Sequence, residues 1–285
     1  MNVDLEQLQQ WVGKTEAGSD DITAAPVASL AAVLDWDDPP PKAGDPLPPL
    51  GHWLYFLPRA RQSEIGEDGH PRRGGFLPPV PLKRRMWAGS RLEFLRPLRI
   101  GSRATRTSRI TGVSLKEGKT GPLVFVRLRH EIGDADGLAL TDEHDIVYRD
   151  LPRPDEPLPA PKPAPPDPAW ERAIRPDPVL LFRYSALTFN GHRIHYDRPY
   201  AVGVERHGGL VVHGPLIATL LLDLLRRHRP QAEVARFSFR ALQPLYDTAP
   251  FHVCGRPASD GTVSLWARDA EGALAMEASA ELSDI

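Results

Sequence analysis

LVVHGPLIATLLLDLL, residues 210–225, is the longest apolar run in a chain of 285 residues, and its reading decides the fold. Pro215 suits the first helical position, where its missing N–H would have no partner in any case. RRHR at 226–229 then sets cations over the negative end of the helix. Between these signals LIATLLLDLL is apolar nearly all round. Such a helix has no face to offer water, so the rest of the chain must wrap it. The run is too short for a bilayer and carries His213 and Asp223, which argues against a membrane span. Alternating strands follow it, and a wholly apolar helix with antiparallel strands makes an α+β fold, a curved sheet around a central helix.

Outward from this helix the two halves of the chain resemble each other. RLEFLRPLRIGS at 91–102 compares with FSFRALQPLYDT at 237–248, each an alternating strand followed by a Pro-Leu pair (Pro97-Leu98, Pro244-Leu245). ADGLALTDEHDI at 135–146 compares with AEGALAMEASAEL at 270–282, both strand, Asp-Gly or Glu-Gly turn, strand. In each half an early helical segment, 26–36 and 184–192, precedes a second helical candidate and then the strands. Two pairs in the same order predict a tandem repeat of one α+β unit. LPRPDEPLPAPKPAPPDPA at 151–169 reads as a stiff extended connector, giving units at 1–150 and 170–285. The stretches 37–50 and 65–76, rich in Pro, Gly and Arg, are expected to be surface excursions of the first unit.

Composition limits the partners. A net charge of −2 and a pI near 6.6 give no general attraction to nucleic acid or an anionic membrane. A phosphate-bearing ligand would therefore need a local arginine cluster, and a small molecule is the expected partner. Cys254 stands alone, which excludes an internal disulfide and fits a reducing compartment. MNVDLEQLQQ lacks the basic and apolar segments of a signal peptide, so a cytoplasmic location is expected.

The chemistry concentrates in FNGHRIHYD, 189–197, where two of the ten histidines sit beside Asn190, Arg193, Tyr196 and Asp197. RYSALTFNGHRIHYD at 183–197 followed by VVHGPLIATLLLDLL at 211–225 resembles the R-specific enoyl-CoA hydratase, or MaoC-like, family of hot-dog folds. More narrowly it is similar to the hydroxyacyl-thioester dehydratase type 2 and mesaconyl-CoA or itaconyl-CoA hydratase branch, in which two hot-dog units are fused. KRRMWAGSRLEFLRPLRIG at 83–101 resembles the degenerate N-terminal unit of that branch, so the resemblance covers the whole chain. It implies a double hot-dog, each sheet wrapped around a central helix, and reversible addition of water to an enoyl-CoA, with short branched dicarboxyl groups favoured. A binding protein that has lost catalysis, a fatty-acid-type 3-hydroxyacyl-thioester dehydratase and a thioesterase are the alternatives.

Hydration needs a base for water, a proton donor for the α-carbon and a group that holds charge on the thioester oxygen. The family motif has an aspartate five residues before a histidine; here the two positions are Asn190 and His195. An amide neither takes nor gives a proton at neutral pH, so His195 is expected to be base and acid while Asn190 holds the water or orients the ring. Tyr196 and Asp197 rank below it as proton-transfer groups. By the resemblance the thioester carbonyl lies at the start of the apolar helix, where Gly214 permits close approach and His213 shapes the entrance. The resemblance implies a substrate-binding set of His192, Arg193, Tyr196, Asp197 and His213, although His192 taken by itself is more often structural. Arg84 and Arg85, like Arg72 and Arg73, are candidates for the phosphates of coenzyme A. A metal at His192 and His195 would need a further ligand from His207, His213 or Asp197, and no metal or other cofactor is expected. The first unit is expected to be catalytically empty and to supply the wall of the acyl pocket. The chain either stands alone as a pseudo-dimer or forms a homodimer.

Overall fold

The computed structural model describes residues 3–118, 121–151 and 160–283. The first half contains α1 (Leu5–Gln9), β1 (Thr15–Asp21), α2 (Ala24–Leu34), β2 (Arg84–Phe94), β3 (Arg103–Gly118), β4 (Gly121–Asp134) and β5 (Gly137–Arg149). The second contains β6 (Trp170–Ile174), α3 (Pro178–Leu187), α4 (Gly214–His228), β7 (Val234–Ala241), β8 (Phe251–Pro257), β9 (Thr262–Arg268) and β10 (Leu274–Leu282). All ten strands form one sheet in the order β1-β3-β4-β5-β2-β7-β10-β9-β8-β6. From either edge inward, each half contributes its first, third, fourth, fifth and second strand. The expected repeat is thus present in the topology, with the halves related about the antiparallel β2–β7 seam. Arg91 faces Ser238 at the middle of that seam, and the same offset in numbering relates Pro97 to Pro244. The Asp136-Gly137 and Glu271-Gly272 turns also correspond, each glycine holding a positive φ, 105° and 88°.

The apolar run forms α4 as its pattern requires. Leu216 through Leu225 are buried in unbroken succession, and α4 packs on β6, β8, β9 and β10. Pro215 opens it and Arg226, Arg227 and His228 occupy its last turn. The one carboxylate within the run, Asp223, accepts from Trp36 Nε1 at 2.6 Å, Arg172 at 2.6 Å and Arg227 at 2.8 Å, so its charge is fully paired where water cannot reach. Trp36 belongs to the first half, which makes this cluster a tie between halves. The hydrophobic core is continuous across them, joining Leu34, Leu92 and Leu98 to Leu221, Phe237 and Leu245.

Three local expectations change. The early helix of the second half is α3 at 178–187, upstream of 184–192. Asp177 caps it by accepting the Leu180 N–H at 2.8 Å, Pro178 begins it, and Phe189 at φ 49° lies beyond its end. Among the described residues the first half has no counterpart of α4: between α2 and β2 the helical segments are short 3-10 turns, at Gly51–Leu54 and Gln62–Glu64. The loop 65–76 is no free excursion, because it docks on the second half. Arg193 donates its N–H to Asp68 O at 2.9 Å and its guanidinium to Glu67 O at 3.0 Å. Gly69 lies so close to Gly191 that a Cβ would overlap the Gly191 carbonyl. Glycine at both positions here permits contact between two backbones.

Of the connector, residues 152–159 lie outside the described residues, while 160–169 run beside the second half, Leu274 N–H donating to Lys162 O at 2.7 Å. No helix among the described residues is long and apolar enough to cross a membrane.

The seam is testable at Gly89 on β2, where an added Cβ would overlap the backbone carbonyl of Phe239 on β7. Gly89→Ala is expected to destabilise the protein by about 1–3 kcal/mol through overpacking, read as a lowered Tm by calorimetry. An unchanged Tm would mean that the two sheets are not joined as described.

Candidate active site

The motif loop between α3 and α4 is fixed largely by its own polar groups. Asn190 donates its N–H to Ser185 O at 2.8 Å, and its Oδ1 accepts the His192 N–H at 3.0 Å. The backbone thereby uses the amide's acceptor, which leaves its NH2 group to donate elsewhere. His195 ends a short 3-10 turn, and its Nδ1 lies 2.7 Å from Val211 O. A carbonyl only accepts, so Nδ1 carries the hydrogen and Nε2 keeps its lone pair. The ring stacks on His213 at 3.7 Å between centroids and meets the edge of His192 at 5.4 Å. His213 in turn is the residue before α4, with Nε2 2.8 Å from Ser185 Oγ. Burial, then the neighbouring His213, pushes the His195 pKa well below its ordinary value, and burial holds His213 down to about 3. Both imidazoles are neutral bases at neutral pH.

Beside this loop lies a cavity of about 640 Å³. The second half lines it with Tyr184, Ser185, Asn190, Gly191, Tyr196 and Pro215. Asn190 therefore faces the cavity as expected, and Pro215 brings the first turn of α4 to its wall. A Cβ at Gly214 would lie 3.8 Å from the Trp87 carbonyl, so the helix start and β2 of the first half meet there. The His195 ring, 7 % exposed, is not itself part of the wall; Asn190 and Ser185, the partner of His213, are. A second cavity of about 680 Å³ near the far end of α4, bordered by Trp36, Asp223 and Arg226, touches none of the motif residues.

The remaining sequence candidates divide. Tyr196 lines the cavity and donates its hydroxyl to Gly191 O at 3.1 Å. Arg193 and Asp197 pair with each other at 2.7 Å, outside the cavity wall. His192, placed in the substrate-binding set from sequence, is buried against Glu205 at 3.4 Å and does not line the cavity. Arg84 is not available to a phosphate: it is 9 % exposed, ion-paired to Glu205 at 3.2 Å and bonded to the Glu205 carbonyl at 2.7 Å. Sequence could not show this, because its partner lies 121 residues away. Arg73 is likewise engaged, donating to the Val80, Leu82 and Lys83 carbonyls. Arg85 lies near Asp68 and His70 and acts on both through its charge. Asp68, His70 and His192 are the described group with metal-ligand spacing, their donor atoms within 4.8 Å of one another. Asp68 and His70 are already bonded at 3.2 Å, and the Arg85 charge opposes a cation there.

The first half contributes more than a plain wall. His70 packs at a tilt against His192, 4.2 Å between centroids, and Trp53, Trp87, Arg106, His130, Asp142 and His144 line the cavity opposite the motif. Asp142 Oδ2 receives His52 Nε2 at 3.1 Å, Trp53 Nε1 at 2.9 Å and His144 Nε2 at 2.7 Å, and His130 Nδ1 lies 2.8 Å from Ser108 Oγ. Although burial alone would raise it, these imidazoles hold the Asp142 carboxyl well below the usual carboxylate range. No local motif announces this cluster. Its one trace in the sequence is polar residues at inward positions, in His130 and in Asp142 and His144 two apart on β5.

Residues 50–247 match the family model described as hydroxyacyl-thioester dehydratase type 2. The chain is 50% identical over 275 residues to a mesaconyl-C(4)-CoA hydratase of Chloroflexus aurantiacus, covering 95% of this chain and 96% of that protein. It is 29% identical over 233 residues to the mitochondrial hydroxyacyl-thioester dehydratase type 2 of Schizosaccharomyces pombe, covering 73% and 77%. Among solved structures it is similar to a MaoC-like dehydratase from Phytophthora capsici, with TM-score 0.69 and 13% identity over 99% of this chain and 98% of that one. A Mycobacterium tuberculosis protein described as having a double hotdog fold gives TM-score 0.56 and 15% identity over 95% and 96%. These two likenesses show the double hot-dog fold.

The buried imidazoles make stability depend on pH. Burial lowers the pKa of His52, His70, His130, His195, His207 and His213 below 6.5 in the folded protein. Below 6.5 the unfolded chain binds more protons than the native one, so stability is present above that pH and lost as pH falls. Calorimetry between pH 7.5 and 5 should show Tm falling steeply below about pH 6.5. A flat or rising Tm over that range would contradict the neutral state assigned to these rings.

Proposed function

The chain belongs to the hydroxyacyl-thioester dehydratase type 2 family, and on that premise we propose that it is a hydro-lyase adding water reversibly to an enoyl-CoA thioester, with mesaconyl-CoA as substrate. The observation that carries this reading is its near full-length identity to a mesaconyl-C(4)-CoA hydratase.

The arrangement of the site supports the following roles in that reaction. The thioester carbonyl sits at the first turn of α4, where free N–H groups and the positive helix end favour the oxygen as it gains charge. Gly214, without a side chain, leaves that approach open. The Asn190 NH2 group, its Oδ1 held by the His192 N–H, donates to the oxygen of the attacking water and positions it at the wall of the cavity. His195 takes the water proton at Nε2 while the Val211 carbonyl fixes the opposite nitrogen. The hydroxyl joins the β-carbon, the thioester becomes an enolate, and the imidazolium returns the proton to the α-carbon. One water is consumed and no other reactant is needed. Because burial keeps His195 unprotonated, the forward rate should persist well below pH 6.5.

Loss of the conjugated enoyl-thioester absorbance on mixing with mesaconyl-CoA reads the reaction directly. His195→Ala is expected to lower kcat/KM by about 10²- to 10⁴-fold, the usual contribution of a positioned acid–base group. Asn190→Asp keeps an oxygen for the His192 N–H but replaces the cavity-facing donor with negative charge. It should raise KM for a substrate that itself carries a carboxylate. Full activity in His195→Ala with its fold intact would remove His195 from the mechanism.

A further inference from the structure

The concave faces of the two halves differ where the repeat would make them alike. Successive opposed pairs place Ser108, His130, Asp142 and Leu92 in one row across β3, β4, β5 and β2. The matching row across β8, β9, β10 and β7 is Gly255, Leu265, Ala278 and Phe239. By the same correspondence Arg106 takes the place of Val253 and His144 that of Ala280. The apolar row is the one that packs under α4. The polar row lies in the half without such a helix, and it borders the cavity.

Arg106 is the unmatched charge in this row. It is half-buried and lines the cavity, and its guanidinium lies over the Phe56 ring at 5.2 Å. Among the described residues it has no hydrogen bond or salt bridge. Glu16, Asp142 and Asp20 act on it only through space. Glu16 is exposed, Asp20 accepts the Phe56 N–H at 2.8 Å and lies 3.5 Å from Arg59, and Asp142 gives its Oδ2 to three N–H partners while its buried Oδ1 meets neither Arg106 nor any other donor. Burying a guanidinium without an anion is costly, and a cavity wall is where a ligand can supply one. The other end of the reacting group is placed by α4: Gly214 meets the Trp87 carbonyl, and the Trp87 ring packs at a tilt against His144, 4.1 Å between centroids. One tryptophan thus separates the thioester end from the polar row, a span suited to a short acyl chain.

We propose that Arg106 is the specificity-determining anchor for the free carboxylate of a dicarboxyl thioester, with the His130–Asp142–His144 row forming the polar floor around it. This rests on the hydratase reading and deepens it. It explains why a polar cluster occupies a face that the fold leaves free to be apolar. Three N–H groups converge on Asp142 Oδ2, which offsets part of that carboxylate's charge, while its Oδ1 is buried without a partner.

The test compares thioesters that differ only by a carboxylate in place of a methyl group. Methylsuccinyl-C4-CoA and isovaleryl-CoA form the saturated pair, for binding by calorimetry. Mesaconyl-C4-CoA and 3-methylcrotonyl-CoA form the enoyl pair, for turnover. Wild type is expected to bind the carboxylate member more tightly. Arg106→Gln should lose affinity for that member on the order of a hundredfold, as expected when one partner of a desolvated charge pair is removed, and hold isovaleryl-CoA unchanged. Arg106→Lys should recover part of the difference. An equal loss for both saturated thioesters, or none, would overturn the proposal. So would a wild type that binds isovaleryl-CoA as tightly as the carboxylate member, a result that needs no variant to fold. Carboxylate-dependent binding without turnover would remove the hydratase reading and leave this one standing; turnover with no difference between pair members would do the reverse.

Discussion

The structure depends on one constraint: α4 has no side that can face water. Ten successive buried residues, from Leu216 to Leu225, require partners in every direction around the helix axis. The sheet of the second half supplies most of them, and the first half closes the remainder through the shared core. Burying a leucine side chain is worth about 1.5–3 kcal/mol, so the run is a major source of the stability of the whole chain. The β2–β7 seam and the Trp36–Asp223–Arg172 cluster hold the halves in the relation that this burial needs.

The same constraint creates the site. Once α4 is fixed, its first turn emerges at the junction between halves, beside Trp87, with Pro215 at the cavity wall. The first half repeats the strands but not that helix, so part of its concave sheet faces open space. A duplicated fold with one helix missing therefore yields a binding cavity at its own interface. The motif loop supplies one wall of it, and the histidine and arginine row of the first half supplies the other.

Much of this was legible in sequence because it rests on local patterns. The all-round apolar run gave α4, the Pro-Leu strands gave the repeat with the offset found at the middle of the β2–β7 seam, and the Gly turns marked a second matching pair. Asn190 lies at the cavity wall and Gly214 opens α4 beside Trp87. The failures concern residues whose meaning depends on distant partners. Arg84 looked like a free cation beside Arg85, yet Glu205 takes it into the interior. Gly69 and His70 looked like part of a solvated loop, although the loop docks on the motif itself. The Asp142 cluster joins residues from positions 52 to 144, with no spacing that marks it as a unit. Alternation along β5 placed Asp142 and His144 on one face, but only the missing helix makes that face a cavity wall.

The central claim is that a short enoyl thioester binds across the junction, its carbonyl at the start of α4 and its far end toward the first half. A crystal structure of the protein with methylsuccinyl-C4-CoA, which cannot be hydrated, tests this directly. The account predicts the thioester oxygen within hydrogen-bond distance of backbone N–H groups at the first turn of α4, and the free carboxylate against Arg106. An acyl group lodged instead in the cavity beside Trp36 and Arg226, with the space around Asn190 and Pro215 empty, would contradict it.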